Sequence, residues 1–105
     1  MKRGEVRWHT FKPPDKQRPV VILTRDSVID YMDRITIAPI TTTIRDIPTE
    51  VYLTPAHGVP RVSVVSLDNI TTIQKHLIGR LITVLPPEKI DEIENAICFA
   101  LGIDR

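Results

Sequence analysis

The sequence predicts a mainly β (α+β) protein: a small, strongly curved antiparallel barrel or sheet of short strands, with one C-terminal helix packed on it. Three observations carry this. Runs rich in Val, Ile and Thr recur along the chain, and nine prolines punctuate them; β-branched residues favour strands, and proline cannot donate to a ladder. Hydrophobic residues make up 42% of the chain but aromatics only 5%, so the core must be aliphatic. After Pro86-Pro87 the apolar spacing changes from strand-like to helical.

Each element follows in order. Glu5 to Phe11 alternates and reads as a first strand, closed by the extended or turning pair Pro13-Pro14. Pro19 to Thr24 (PVVILT) is a continuous apolar run, as expected of a strand buried on both faces. Ile35 to Ile44 (ITIAPITTTI) is a third β run, in which Pro39 suggests a bulge or an edge. Thr49 to Leu53 (TEVYL) alternates as a fourth, and His57-Gly58-Val59-Pro60 makes a turn. Val62 to Leu67 and Ile70 to Ile73 are two short strands separated by Asp68-Asn69, and Gln74 to His76 can form one helical turn. Gly79 to Leu85 is the last strand. Ile90, Ile93, Ile97 and Leu101 then fall at helical spacing, framed by proline at the start and Gly102 past the end. Glu88, Asp91 and Glu92 suit the positive end of that helix.

A length of 105 residues suits one domain spanning 1–105. The net charge of +1 argues against a uniformly basic nucleic-acid binder. Basic residues gather near the N-terminus (Lys2, Arg3, Arg7, Lys12, Lys16, Arg18) and acids near the C-terminus. Any nucleic-acid surface should therefore be built by the first half. One cysteine, Cys98, excludes an intrachain disulfide and fits a reducing compartment. With no transmembrane-length run and no signal-peptide pattern, the cytoplasm is the expected location.

Hydrolase chemistry does not declare itself. His9, His57 and His76 are far apart in sequence, and no Cys or His pair has zinc spacing, so neither a metal nor another cofactor is expected. There is no phosphate-cradling glycine loop and no nucleophile-elbow serine. Arg18, at the mouth of the buried strand beside Lys16 and Gln17, suits bidentate phosphate recognition, and equally an ordinary solvated arginine. Thr41, Thr42 and Thr43 offer hydroxyls to a phosphate, although β-propensity alone accounts for them. Asp68-Asn69 could read a base edge, or be a plain turn pair. Alternation turns His9 away from Trp8 and toward solvent, His57 lies in a turn, and His76 reads as a surface residue.

MKRGEVRW, QRPVVILTRD, IAPITTTI, VSVVSLDNITTI and the helix after LPPEKI resemble, in order and spacing, the MazF/PemK/Kid toxins over essentially the whole chain. The resemblance implies an SH3-like barrel with a C-terminal helix, a two-fold homodimer, and metal-free, sequence-specific cleavage of single-stranded RNA. It implies a cognate antitoxin as partner, with operator DNA reached only through that antitoxin, and no membrane. By position, Arg18 matches the family's active-site arginine and Thr41 its active-site hydroxyl. Asp68 matches a position near the RNA. Ser66 and Thr71 stand where some members carry basic residues, and the Lys12–Gln17 connection is shorter than the glycine-rich loop of many members.

The implied reaction needs positive charge on the phosphorane, which suits Arg18, and an oriented phosphate, which suits Thr41. His57, Glu50 or Asp68 could supply a base. Lys12, Lys16, Gln17, Thr42, Thr43, Arg45 and Asn69 are the remaining candidates for lining an RNA groove. With few aromatics, polar contacts are expected to dominate there. The competing readings are a CcdB-like toxin that poisons gyrase without nuclease activity, and a peptide-binding SH3-like adaptor, which the scarcity of aromatics disfavours.

Overall fold

The computed structural model describes residues 1–11 and 17–104. Among the described residues, seven strands and two α-helices follow the order β1 (Glu5–Thr10), β2 (Gln17–Ile22), α1 (Asp26–Ile29), β3 (Arg34–Thr41), β4 (Glu50–Leu53), β5 (Ser63–Ser66), β6 (Thr71–Gln74), β7 (Ile78–Val84) and α2 (Pro87–Leu101). All pairings are antiparallel, along the path β4-β5-β3-β2-β1-β7, with β6 also on β3. Each expected strand is present within a few residues of its expected bounds.

β3 joins the two halves of this architecture. Arg34 to Ile37 pair with β6, whereas Ile40 and Thr41 pair with β5. Pro39 falls where one partner strand gives way to the other. A residue without an N–H is tolerated there because the ladder on that side is already interrupted.

Two apolar clusters form because both faces of the curved sheet are covered. Val6, Val21, Ala38, Ile40, Val51, Leu53 and Val65 pack on one face with Ile93 and Ala96 of α2. Val20, Ile22, Ile35 and Ile37 pack on the other with Ile29 of α1, joined by Met1, Phe11, Ile73 and Ile78. This is why PVVILT reads as a continuous apolar run: its even and odd residues enter different clusters. α1 escaped the sequence reading because four residues are too few to show a helical period.

The sheet is not closed, which refines the expectation of a barrel. Between β4 and β7 the gap is bridged by a turn instead of a ladder. The 3₁₀ turn Pro55–His57 follows β4, and the Thr83 hydroxyl of β7 donates to the His57 carbonyl at 3.1 Å. Pro55 opens this turn, and a hydrogen bond from a side chain to a backbone carbonyl joins the edge. At the chain end, Gly102 adopts φ 68°, and the Ile103 N–H returns to the Cys98 carbonyl at 2.8 Å, terminating α2.

Candidate functional site

Strand register decides which polar residues meet. Paired residues of antiparallel strands share a face. Arg18 pairs with His9 across β1–β2. The β2–β3 ladder runs Ile22↔Ile37, Val21↔Ala38, Val20↔Pro39 and stops there. Arg18 and Thr41 each lie two residues beyond the last pair, Val20↔Pro39, so alternation places them on the same face. Thr41 in turn pairs with Val64, and Val64 with Tyr52. One face therefore carries the pair His9–Arg18 and the cross-strand row Thr41–Val64–Tyr52.

Arg18 is exposed, at the second residue of β2. Its guanidinium presents charge and a planar fork of donors, the geometry that suits a phosphate. The Thr41 hydroxyl accepts the Thr43 N–H at 3.1 Å. One lone pair is thereby occupied, which leaves the hydroxyl proton to donate outward. Thr42, Thr43 and Arg45 are exposed in the connection from β3 to β4. Glu50 fixes that connection by accepting the Arg45 and Asp46 N–H groups, both at 2.9 Å. Asp46 has a left-handed φ of 58°, a conformation in which Asp is more tolerant than most residues.

Asp68 and Asn69 form the 3₁₀ turn after β5. Asp68 Oδ2 accepts the Thr49 hydroxyl at 2.6 Å, and the Asn69 amide donates to Ser66 Oγ at 2.8 Å. Ser66 shares the Thr41 face of β5, so Asn69 is anchored beside the row. Gln17 is exposed but, one residue before Arg18, points to the other face. Lys12 and Lys16 lie outside the described residues.

His57 is not brought to this row. Its Nδ1 accepts the Thr54 N–H at 3.0 Å within a capping box, and its turn rests on Thr83. Thr83 pairs with Val6, on the face of β1 opposite His9. Of the three carboxylate and imidazole candidates for a base, Glu50 and Asp68 lie near the row and each holds a loop in place.

His9 departs from expectation. It does turn away from Trp8, but that side is not solvent: it is only 3% exposed. The second apolar cluster covers this face, and the His9 ring stands edge-on to Phe11 with centroids 4.3 Å apart. Neither ring nitrogen has a hydrogen-bond partner among the described residues. Burial lowers its pKa from the usual 6.5, favouring the neutral ring. The unfolded chain then binds the proton more readily. Stability is fully present above about pH 6.5 and is lost as the pH falls below it, by at most about 1.4 kcal/mol per pH unit. His9→Leu is expected to flatten the wild-type decline in denaturant midpoint between pH 7.5 and 5. Parallel declines in the two proteins would refute the assignment.

The sequence reading also passed over Tyr52, whose signal was the alternation of TEVYL. Val51 and Leu53 are buried, while Tyr52 faces out with Glu50.

Among the described residues, no group of three or more His, Cys, Asp or Glu side chains is placed to hold a metal ion. No described helix is long and apolar enough to cross a membrane.

Residues 2–101 match the family model described as PemK-like, MazF-like toxin of type II toxin-antitoxin system. The chain is 42% identical over 90 residues to Endoribonuclease MazF3 of Mycobacterium tuberculosis, covering 86% of this chain and 87% of that protein. It resembles the solved Mycobacterium tuberculosis toxin MazF-mt6 with a TM-score of 0.89 at 38% identity, over 96% of this chain and 99% of that one. A mycobacterial endoribonuclease solved in complex with its cognate antitoxin matches with a TM-score of 0.88 at 26% identity, over 100% and 98% of the two chains.

Proposed function

The chain belongs to the PemK-like, MazF-like toxins of type II toxin–antitoxin systems, and on that premise we propose that it is an endoribonuclease that cuts single-stranded RNA as a homodimer in the cytoplasm. A cognate antitoxin is its protein partner, as for the mycobacterial endoribonuclease solved with its own. The observation that carries the reading is that Arg18 and Thr41 lie on the same face, each two residues past the last pair of the β2–β3 ladder. The gyrase-poisoning alternative is not favoured, because the named relatives are endoribonucleases.

In the proposed reaction the ribose 2′-oxygen attacks the adjacent phosphorus while the bond to the 5′-oxygen breaks. The 2′-hydroxyl loses its proton and the leaving 5′-oxygen gains one. The products are a 2′,3′-cyclic phosphate and a 5′-hydroxyl end. Arg18 neutralises charge building on the phosphorane oxygens, and Thr41 donates its hydroxyl proton to one of them. Guanidinium stays protonated, so Arg18 is not the base. We assign the rate to positioning and charge stabilisation. Asp68, Asn69 and Arg45 flank the bound strand.

The test is incubation of the purified protein with a long unstructured RNA in EDTA, followed by mapping of fragment ends. Cleavage to 5′-hydroxyl and cyclic phosphate ends is expected at a restricted set of sequences. Intact RNA, or 5′-phosphate ends, would reject the mechanism.

A further inference from the structure

Tyr52 lies two strands from Thr41 in one cross-strand row, on the face that Arg18 shares. At about 4.8 Å per strand the two are roughly 10 Å apart. The residue between them, Val64, is fully buried. Tyr52 is 41% exposed, so part of the residue is covered and part faces solvent.

The ring is also held at its far end. Its hydroxyl donates to Asp46 Oδ1 at 3.1 Å. Glu50, on the same face of β4, pins the backbone of Arg45 and Asp46. The hydrogen bond to Asp46, with smaller effects of burial and of the Asp46 and Glu50 charges, raises the Tyr52 pKa, so the phenol stays neutral. Tyrosine has few rotatable bonds, and anchoring it at both ends leaves little entropy to lose when something lies on its face.

Charge indicates what that is. The carboxylates of Asp46 and Glu50 flank Tyr52 and disfavour a phosphate there. A neutral, flat, apolar-faced group suits the site, and every nucleobase offers one. The other strongly exposed tyrosine, Tyr31, follows α1 at the end of β2 away from Arg18, so it does not share the row.

We propose that Tyr52 is the stacking platform for a nucleobase flanking the scissile phosphate, and so helps set which RNA sequences are cut. The inference rests on the endoribonuclease reading above. It adds an aromatic contact to a groove that composition alone assigned to polar groups.

The experiment uses the full chain and a short single-stranded RNA containing its mapped cleavage site. Tyr52→Ala is expected to lower kcat/KM about 10- to 100-fold. Tyr52→Phe keeps the ring and should stay near wild type. The same RNA is then made with the base removed at each flanking position in turn. At one position the wild type should lose the factor lost by Tyr52→Ala, and the two proteins should then cut that RNA equally well. The base-lacking RNAs test the wild type even if Tyr52→Ala does not fold. The proposal is overturned if Tyr52→Ala cuts like wild type. It is equally overturned if Tyr52→Phe falls as far as Tyr52→Ala, or if no single base removal slows the wild type. A wild-type protein that leaves all RNA intact would instead reject the endoribonuclease reading.

Discussion

Arg18→Ala is expected to lower the RNA cleavage rate by about two to three orders of magnitude, the loss typical when one preorganised donor to a developing oxyanion is removed. The side chain is exposed at the end of β2, whereas the buried residues that hold the strand are Val20, Val21 and Ile22. The fold should therefore survive, and a thermal melt of the variant should overlay the wild type. Arg18→Lys separates charge from geometry. It restores a positive charge but not the planar fork that grips two phosphate oxygens. An intermediate rate is expected, with most of the deficit in kcat. Single-turnover cleavage of a fluorogenic oligonucleotide provides the measurement. An Arg18→Ala protein of near-wild-type rate would remove Arg18 from the reaction.

The largest stability effect is expected at Gly58. It follows the Pro55–His57 turn with φ at 94°, in the left-handed region that costs an L side chain about 1–2 kcal/mol. A Cβ there would also drive into the Thr83 side chain, meeting its Oγ1 and, at 2.6 Å, its Cβ. Thr83 cannot readily retreat, because its hydroxyl is donated to the His57 carbonyl. Gly58→Ala should therefore cost about 2–4 kcal/mol once backbone strain and overlap act together. For a protein of this size that lowers Tm by roughly 10 °C or more. Gly102→Ala is the matched control: φ is 68°, but nothing lies within 4 Å of the added Cβ. It should lose only the backbone share. Equal melting shifts for the two variants would show that the Gly58–Thr83 contact does not hold β7 to the turn.

Local chemistry made most elements legible. Proline placement, β-branched runs and the change of period after Pro86-Pro87 located the seven strands and α2. These signals act within a few residues, so composition carries them directly. The motifs also announced the family, and with it Arg18 and Thr41 as the pair to examine. Alternation predicted correctly that His9 turns away from Trp8, and the alternation of TEVYL agrees with the outward side chain of Tyr52 between buried Val51 and Leu53.

What alternation cannot say is what lies on the side a residue faces. His9 was expected at the surface, yet it is buried, because α1, Met1 and Phe11 cover that face of the curved sheet. The gap between β4 and β7 is likewise bridged, without a ladder, by the Thr83 hydroxyl and the His57 carbonyl, residues 26 positions apart. Tyr52 reaches the Arg18 face only through β5 and β3. By itself, the sequence determined the strands, the terminal helix and the family, and through the family it nominated Arg18 and Thr41, since each depends on neighbouring residues or on motif order. Only the tertiary structure decided the cross-strand row, the buried imidazole and the open sheet. Those depend on register and curvature, which arise when distant segments pair and both faces bury at once.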